Sequence, residues 1–299
     1  MRLIHRLVAA IFLIQIATAC TPSKSADQIA APSDVPLVTE VDLSNFFAGI
    51  NPADATFVVY HPSSNQLIRY NTTRAQQRFI PASTYKIPNS LIALETGVAE
   101  DAEHLIPWDP ALKPETGFWS PDWSKDQTLR SAIRGSVYWY YQALARDIGT
   151  DRMQSYVDLF DYGNRDTSGG IDTFWLDGSL KISADEQVRF LEKMYNGKLG
   201  ISSTSTQILK DILLLENTDS YRLSGKTGTV DLTPTRELAW LVGFIEREGD
   251  VWFYALNMDG EQVWEQWGSS KKRLALVGQV LQELAIIPAT TAAVSEATP

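Results

Sequence analysis

Cysteine and histidine are scarce in this chain, and each shortage excludes a class of site. The 299 residues include one cysteine, Cys20, and 3 histidines. A lone cysteine cannot form an internal disulfide or a cysteine-based zinc site, and neither His61 nor His104 has the spacing of a metal ligand. We therefore expect no metal site, and a serine nucleophile in the folded domain would need a base other than histidine.

Basic residues are also in the minority. The chain has 26 Lys and Arg against 36 Asp and Glu, which gives a formal net charge of −10. A surface of this sign repels phosphate backbones, so we expect no nucleic acid partner. Hydrophobic residues make up 44% of the chain, which is enough for one large domain or two small ones with a full core.

Apolar runs long enough to cross a membrane are missing. The run at residues 7–14 follows Arg2 and Arg6 and precedes the small residues 17–19. It is shorter than the roughly 20 residues that span a bilayer. A cationic start, an apolar middle and a small-residue end are typical of a signal peptide. We predict that residues 1–19 are a signal peptide, removed on export to the bacterial periplasm.

Cys20 stands directly after the predicted signal peptide. Its place resembles that of the lipid-modified first residue of a bacterial lipoprotein, and a lipid anchor there would be the only contact with a membrane. The alternative is plain cleavage after Ala19 and a soluble product. The sequence leaves both alternatives open.

The rest of the chain divides into a tether, a folded domain and a tail. Residues 20–39 are small, polar and proline-bearing, which predicts a flexible tether. Residues 288–299 are rich in Ala and Thr without helical periodicity, which predicts a loose tail. The folded domain is expected over residues 40–287.

Within this domain, β-rich runs lie near both ends and helical segments lie between them. Residues 56–60 and 66–70 predict one hairpin, and residues 238–245 and 251–256 predict a second. We therefore predict an α+β fold, in which an antiparallel sheet is flanked by helices and carries an inserted helical lobe.

The pattern Ser-x-x-Lys occurs twice, from Ser83 to Lys86 and from Ser269 to Lys272. On a helix the lysine shares a face with the serine and can reach its hydroxyl. The second copy lies in a polar stretch, whereas the first lies among apolar residues and should be buried. A lysine base needs burial, because its free pKa of about 10.4 must fall by several units. Ser83 and Lys86 are a candidate nucleophile and base, and a purely structural role stays open at this point.

Lys226, Thr227 and Gly228 form a second marker, on a predicted strand. A phosphate loop is excluded, because Ser220 stands where its first glycine is needed. A Ser-x-x-Lys helix followed by Lys-Thr-Gly on a strand is the paired signature of penicillin-recognising serine enzymes. The glycine lets a flat substrate lie against the strand, while the lysine and threonine meet its carboxylate.

Residues 81–97 closely resemble the active-site helix of the class D β-lactamases, the oxacillinases. Further segments similar to family motifs follow in the family's order: 108–109, 126–130, 162–164, 168–172, 174–176, 226–228 and 257–259. The resemblance spans roughly residues 40–285. It implies the fold of that family, hydrolysis of β-lactam antibiotics with resistance as the consequence, and β-lactams as small-molecule partners.

The resemblance also implies roles in the reaction. Ser83 would be the nucleophile that forms the acyl-enzyme. Lys86 would be the general base, carboxylated by carbon dioxide to N6-carboxylysine, and no other cofactor is implied. Trp175 would hydrogen-bond this carbamate, and Ser136 would pass a proton to the leaving nitrogen.

Substrate-binding roles follow from the same resemblance. The backbone N–H groups of Ser83 and Thr229 would form the oxyanion hole. Lys226 and Gly228 would line the substrate, and Thr227 would help to hold its carboxylate.

Arg273 would share the carboxylate with Thr227. It is placed by aligning the last helix rather than by a motif, so Lys271 and Lys272 are alternatives for this role. A surface arginine without a function is a further alternative.

One departure from the family concerns its Ser-x-Val, which appears here as Ser136-Val137-Tyr138. The valine of the family packs against the modified lysine. A phenol at this position could hydrogen-bond the carbamate, crowd the deacylating water or turn away, and we expect acylation to survive while deacylation changes. We also count Tyr138 among the candidate substrate-binding residues, and the aromatic residues 138–141 either line the cleft or fill the core.

Two other functions share part of the pattern. Related β-lactam sensors stay acylated and signal through a membrane segment, which we do not find after residue 19. Cell-wall peptidases usually carry Ser-x-Asn where this chain has Ser136-Val137-Tyr138. Hydrolysis is therefore the leading prediction. The sequence does not decide between a monomer and a homodimer, and it does not identify the preferred β-lactam subclass.

Overall fold

The computed structural model describes residues 35–113, 119–261, 263–267 and 269–289. The predicted signal peptide, Cys20 and most of the predicted tether and tail lie outside the described residues. The first strand begins at Leu37, inside the segment predicted to be a tether. It pairs in parallel with a later strand, Leu37 opposite Gln66. Because the pairing uses main-chain groups and leaves Leu37 68% exposed, composition did not reveal it.

The strands of the main sheet lie toward the two ends of the described chain, and most of the α-helices lie between them. The strands are β1 (Leu37–Glu40), β2 (Ala55–His61), β3 (Gln66–Tyr70), β4 (Leu105–Ile106), β5 (Gln127–Thr128), β6 (Leu214–Asn217), β7 (Arg222–Thr233), β8 (Arg236–Arg247) and β9 (Asp250–Gly260). The helices are α1 (Thr72–Gln76), α2 (Lys86–Glu95), α3 (Leu129–Gly135), α4 (Tyr138–Ile148), α5 (Thr150–Leu159), α6 (Ala184–Tyr195), α7 (Ser203–Ile212), α8 (Val263–Trp267) and α9 (Ser270–Glu283).

Among the described residues, seven strands form one sheet in the order β1-β3-β2-β9-β8-β7-β6. Apart from the β1–β3 pair, neighbouring strands are antiparallel. Both predicted hairpins are confirmed, as β2–β3 and as β8–β9. The pairing of β2 with β9 joins strands from the two ends of the domain, as the α+β prediction requires.

Apolar clusters cover the two faces of this sheet. On one face, Leu256 of β9 and Val277 of α9 belong to one buried cluster. On the other, Val242 of β8 packs in a larger cluster with Leu91 of α2 and Leu144 of α4. The long central strands β8 and β9 are buried along most of their length for this reason. The helices α2 to α7 form the predicted insertion between β3 and β6.

Helix α6 begins at a capping box that also serves the site. The Glu186 N–H donates to Ser183 Oγ at 3.2 Å, and the Ser183 N–H donates back to the Glu186 carboxylate at 2.9 Å. Reciprocal capping of this kind satisfies N–H groups that a helix start leaves without partners. It sets the first turn of α6, which carries Gln187. Within the described ranges, no helix is long and apolar enough to cross a bilayer.

Candidate active site

The turn that carries Ser83 has an unusual backbone. Ala82 has φ 49°, in the left-handed region that residues other than glycine rarely enter. Residues Ala82–Tyr85 form a 3-10 turn, and α2 begins directly at Lys86. The Ala82 N–H donates to the Trp175 carbonyl at 3.1 Å, and the Gln187 side chain donates to the Thr84 hydroxyl at 2.9 Å. These bonds hold Ser83 at the start of a buried helix.

Lys86 lies beside Ser83 in a dry environment. Its Nζ donates to Ser83 Oγ at 2.6 Å, and the residue is only 2% exposed. Burial penalises the charged form of an amine, and it lowers the pKa of Lys86 to about 7. Near neutral pH a large fraction of Lys86 is therefore uncharged and able to accept a proton.

Tyr141 forms the aromatic wall next to Lys86. Nζ of Lys86 lies 5.5 Å from the centroid of the Tyr141 ring. The Tyr141 hydroxyl is 2.9 Å from Ser90 Oγ, and Ser90 in turn donates to the Lys86 carbonyl at 2.7 Å. Tyr141 is one of four adjacent aromatic residues, and the sequence alone does not single it out. Its place here depends on the packing of α4 on α2, which no local pattern shows.

Ser136 and Lys226 form a second serine–lysine pair. Ser136 ends α3 with φ 53°, and its Oγ accepts a hydrogen bond from Lys226 Nζ at 3.0 Å. Lys226 is 5% exposed. Its pKa lies well below the usual range because of burial and then because of the positive charges of Lys86 and Arg273. The two pairs are therefore close enough for their charges to interact.

Strand β7 brings the Lys-Thr-Gly segment against the Ser83 turn. A Cβ on Gly228 would lie 2.9 Å from the Pro81 carbonyl oxygen and 3.3 Å from the Thr84 nitrogen. Only glycine allows this approach without displacing the turn. Thr227 and Thr229 flank Gly228 on the same strand and are half-buried. One strand therefore carries both Thr227, a predicted carboxylate residue, and Thr229, a predicted oxyanion-hole residue, past the Ser83 turn.

Arg273 lies behind this strand rather than on the surface. It is 3% exposed, and its Nη1 donates to the carbonyls of Gly228 at 2.7 Å and Trp240 at 2.9 Å. Burial lowers its pKa to about 10. Lys271 and Lys272, the alternatives for its role, are exposed. The structure therefore favours Arg273 over both as the cation beside Lys-Thr-Gly.

Trp175 is buried against the residue before Lys86. Its ring stacks on Tyr85 with centroids 5.4 Å apart and an angle of 16°. Through its carbonyl it also receives the Ala82 N–H. Trp175 therefore contacts the Ser83 turn on both sides of the nucleophile, at Ala82 and at Tyr85.

Tyr138 differs from the three aromatic residues that follow it. Trp139, Tyr140 and Tyr141 are buried and fill the core. Tyr138 is half-buried, and its ring lies 6.1 Å from that of Trp123.

The arrangement provides the parts of a serine acyl-transfer site. A hydroxyl lies beside an amine that is partly neutral, and a second hydroxyl lies beside another buried lysine. Such pairs can deprotonate a nucleophile and protonate a leaving group. Among the residues that the structure describes, no three His, Cys, Asp or Glu side chains are grouped to hold a metal ion.

The chain is similar in sequence to a family of penicillin-binding domains and to a known β-lactamase. Residues 52–282 match the family described as penicillin binding protein transpeptidase domain. Over 232 residues the chain is 40% identical to beta-lactamase OXA-48 of Klebsiella pneumoniae, and the match covers 77% of this chain and 83% of that protein.

Solved structures give the same picture. A class D beta-lactamase from Sebaldella termitidis has a TM-score of 0.76 at 33% identity, covering 85% of this chain and 99% of that one. The C-terminal domain of the Bacillus licheniformis BlaR penicillin-receptor has a TM-score of 0.75 at 32% identity, covering 85% and 98%. These neighbours confirm the predicted fold. Because one is a hydrolase and the other a receptor domain, the fold alone does not separate the two functions.

Proposed function

The chain belongs to the class D β-lactamases, which are serine hydrolases, and from this premise we propose that Ser83 and Lys86 carry its hydrolysis of β-lactams. One observation carries the proposal. Nζ of Lys86 lies 2.6 Å from Ser83 Oγ, in surroundings that bring the pKa of Lys86 to about 7. A lysine with an ordinary pKa would stay charged at that pH and could not take the serine proton.

In the proposed acylation, the neutral amine of Lys86 takes the proton of Ser83 while Oγ bonds to the carbonyl carbon of the β-lactam ring. The ring C–N bond breaks, and its nitrogen takes a proton from Ser136. Lys226 donates to Ser136 Oγ at 3.0 Å and restores that proton. Because Lys86 has gained one proton and Lys226 has lost one, the two lysines together hold as many as before.

Binding of the substrate would use the strand beside the turn. The backbone N–H groups of Ser83 and Thr229 stabilise the oxyanion, a type of contact worth about 10²- to 10³-fold in rate. Thr227 and Arg273 hold the carboxylate. The contact of Gly228 with the Ser83 turn supports this assignment, because it brings the strand and the nucleophile within reach of one small molecule.

Carbon dioxide is the one cofactor that we propose. Lys86 fits it, because carbon dioxide adds only to an uncharged amine and burial lowers the pKa of this lysine to about 7. Trp175 packs on Tyr85 and would hold the carbamate. When it is present, the carbamate would supply an oxygen atom as the base. We expect labelled bicarbonate to give an NMR signal in the parent and none in Lys86→Ala. Turnover that does not respond to bicarbonate at acidic pH would argue against carboxylation.

The second half of the reaction is hydrolysis of the Ser83 ester. Lys86 first releases to solvent the proton that it gained in acylation, and Lys226 regains one from solvent. Water then adds to the ester carbon and gives up a proton to Lys86, and Ser83 Oγ leaves with that proton. We propose that Tyr138, which lies against Trp123, alters this step more than acylation. Tyr138→Val should therefore change the deacylation rate constant and leave the acylation rate constant within about threefold. Equal changes in both constants would contradict this.

Mass spectrometry with a penicillin tests the proposed nucleophile. The parent should show a short-lived adduct on Ser83 and return to free protein, and Ser83→Ala should show none. Ser269→Ala is the matched control and should behave as the parent. An adduct that persists for hours would favour a receptor, and an adduct elsewhere would refute the role of Ser83.

We also propose that the chain is exported to the periplasm, because residues 1–19 have the order of a signal peptide. Two mature forms are compatible with this, a soluble one and one with a lipid on Cys20. The mass of the mature N-terminus distinguishes them, and Cys20→Ser should release an anchored form from membranes. Intact residues 1–19 on the purified protein would contradict export. Separately, analytical ultracentrifugation would decide whether the protein is a monomer or a homodimer.

A further inference from the structure

The segment before the nucleophile connects the Ser83 turn to the rest of the fold. Phe79 pairs with Ile182 through two backbone hydrogen bonds of 2.9 and 2.8 Å. Beyond Phe79 the chain passes Ile80 and Pro81 and reaches the left-handed residue Ala82. The segment is therefore a link whose position relative to the sheet sets the position of Ser83.

Trp240 of β8 contacts this link from the sheet. It is fully buried, and its indole Nε1 donates to the Ile80 carbonyl at 2.9 Å. Its ring and that of Phe79 pack edge to face, with centroids 6.4 Å apart and an angle of 75°. A buried indole N–H with a well-placed acceptor fixes both groups, because either one alone would be left without a partner away from water.

The backbone of the same residue contacts Arg273, which belongs to α9. The Trp240 carbonyl accepts from Arg273 Nη1 at 2.9 Å. Trp240 also lies directly opposite Gly228 in the β7–β8 register, and the Gly228 carbonyl accepts from the same nitrogen at 2.7 Å. One residue therefore joins the link to Ser83 and the anchor of Arg273.

We propose that Trp240 is a positioning residue that sets the distance between Ser83 and the carboxylate-binding Arg273. This inference rests on the proposed function, in which one substrate meets both residues. The side chain of Trp240 holds the nucleophile segment at Ile80, and its carbonyl holds Arg273. A substrate whose carboxylate is bound by Arg273 then has its ring carbonyl carbon at the correct distance from Ser83 Oγ.

The expected effect follows from the sensitivity of the reaction to distance. A misplacement of about 1 Å can cost about 10²-fold in rate. Trp240→Phe keeps an aromatic ring and the backbone carbonyl but removes the N–H that holds Ile80. We expect the second-order rate constant for acylation of Ser83 to fall by about tenfold or more.

Tyr254→Phe provides a matched control in the same sheet. Tyr254 is also fully buried, and its hydroxyl donates to the Ser224 carbonyl at 3.1 Å. Its side chain lies in the cluster on the α9 face, opposite the face of Trp240. Tyr254→Phe removes one buried hydrogen bond to a backbone carbonyl, as Trp240→Phe does. We expect its acylation rate to stay within about twofold of the parent.

A double-mutant cycle with Arg273→Ala separates positioning from general loosening. If Trp240 acts through the spacing to Arg273, removing its N–H should have an effect of less than about threefold when the arginine is already absent. A structural role alone would give the same fold-loss in both backgrounds. Where Trp240→Phe does not fold, 3-benzothienylalanine at position 240 keeps the ring shape, removes only the N–H and completes the cycle.

The outcomes distinguish this inference from the function on which it rests. A parent that forms no ester at Ser83 refutes both. A parent that is acylated, together with a folded position-240 variant that is acylated equally fast, refutes the positioning role alone. Additive effects in the double-mutant cycle also refute the positioning role. A tenfold loss of acylation rate that disappears in the Arg273→Ala background supports the positioning role.

Discussion

The first and second copies of Ser-x-x-Lys make different contacts in the folded molecule. At the start of α2, the Lys86 side chain reaches Ser83 Oγ at 2.6 Å, and the lysine is buried. At the start of α9, Ser269 Oγ instead accepts from the backbone N–H of Lys272 at 3.2 Å, and the Lys272 side chain is exposed. One copy has the contact of a nucleophile and its base, and the other is an N-cap.

The difference between the copies lies in what packs around them. The apolar residues after Lys86 place the start of α2 in the larger core, where burial lowers the pKa of the amine. The polar residues around Ser269 leave the start of α9 in water, where a cap hydrogen bond is the useful contact. The spacing permits a reactive pair, and desolvation decides whether it forms.

The largest expected difference between the copies is in turnover. Ser83→Ala removes the attacking oxygen and should lower kcat/KM for a penicillin by about 10⁴-fold or more. Ser269→Ala should leave kcat/KM within about twofold of the parent. Hydrolysis followed by absorbance measures both. Comparable losses in the two variants would remove the distinction between the copies.

The second largest expected difference is between Lys86 and Lys272, in the rate of hydrolysis and in how that rate depends on pH. Lys86→Ala should lower kcat/KM by about 10²- to 10⁴-fold, the usual range for a lost general base, and Lys272→Ala should not. Because the neutral amine is required and its pKa is about 7, kcat/KM of the parent should rise about tenfold per pH unit below neutrality. A profile that is flat from about pH 5 to 8 contradicts this assignment.

Burial of Lys86 should also be visible as pH-dependent stability. Its folded pKa, about 7, is below the ordinary lysine pKa of 10.5, so between these values the unfolded chain binds more protons. The free energy of unfolding must then rise with pH, by up to about 1.4 kcal/mol per unit from this group. Lys86→Met removes that cost, so it should stabilise the protein more at about pH 7 than at about pH 9.

Urea unfolding in bicarbonate-free buffer at the two pH values measures this difference, which we expect to be about 2 kcal/mol. Lys272→Met is the control from the exposed copy and should shift stability equally at both. If the benefit of Lys86→Met does not shrink as the pH rises, the amine is not desolvated as the structure indicates.

The smallest expected effect belongs to the cap. Ser269→Ala removes the acceptor for the Lys272 N–H, and loss of an N-cap typically costs about 1 kcal/mol. The melting temperature should fall by about 2–4 °C, which calorimetry can resolve, while turnover stays at the parent level. Ser269→Asp, which also caps a helix, should restore most of the loss. A melting temperature that does not change would mean that Ser269 is not a cap.

The sequence predicted much of the fold. The alternation of β-branched and aromatic residues predicted the strands of both hairpins, and separation of those strands along the chain predicted the inserted helices. Edge pairing of β1 was not predicted, because main-chain hydrogen bonds to a sheet edge leave no apolar pattern at Leu37 or Val38.

In the candidate site, sequence motifs pointed to Ser83, Lys86 and Lys226, because those motifs combine a fixed spacing with apolar or glycine neighbours. Trp240 and Tyr141 were not singled out, because their contacts are with residues that are distant along the chain. Trp240 contacts Ile80 and Arg273, and Tyr141 contacts Lys86. The left-handed conformation of Ala82 was missed for a different reason, since alanine gives no local signal for positive φ.

The sequence alone therefore determined which serine and which lysine are candidates, because spacing and local hydrophobicity are written in consecutive residues. Only the tertiary structure decided which candidate is desolvated and which charges face each other. The pKa of Lys86 depends on the water that α4 and the larger core exclude from it, and that of Lys226 also on the charges of Lys86 and Arg273. Desolvation and charge interaction depend on distances through space, and segments far apart in the chain set those distances.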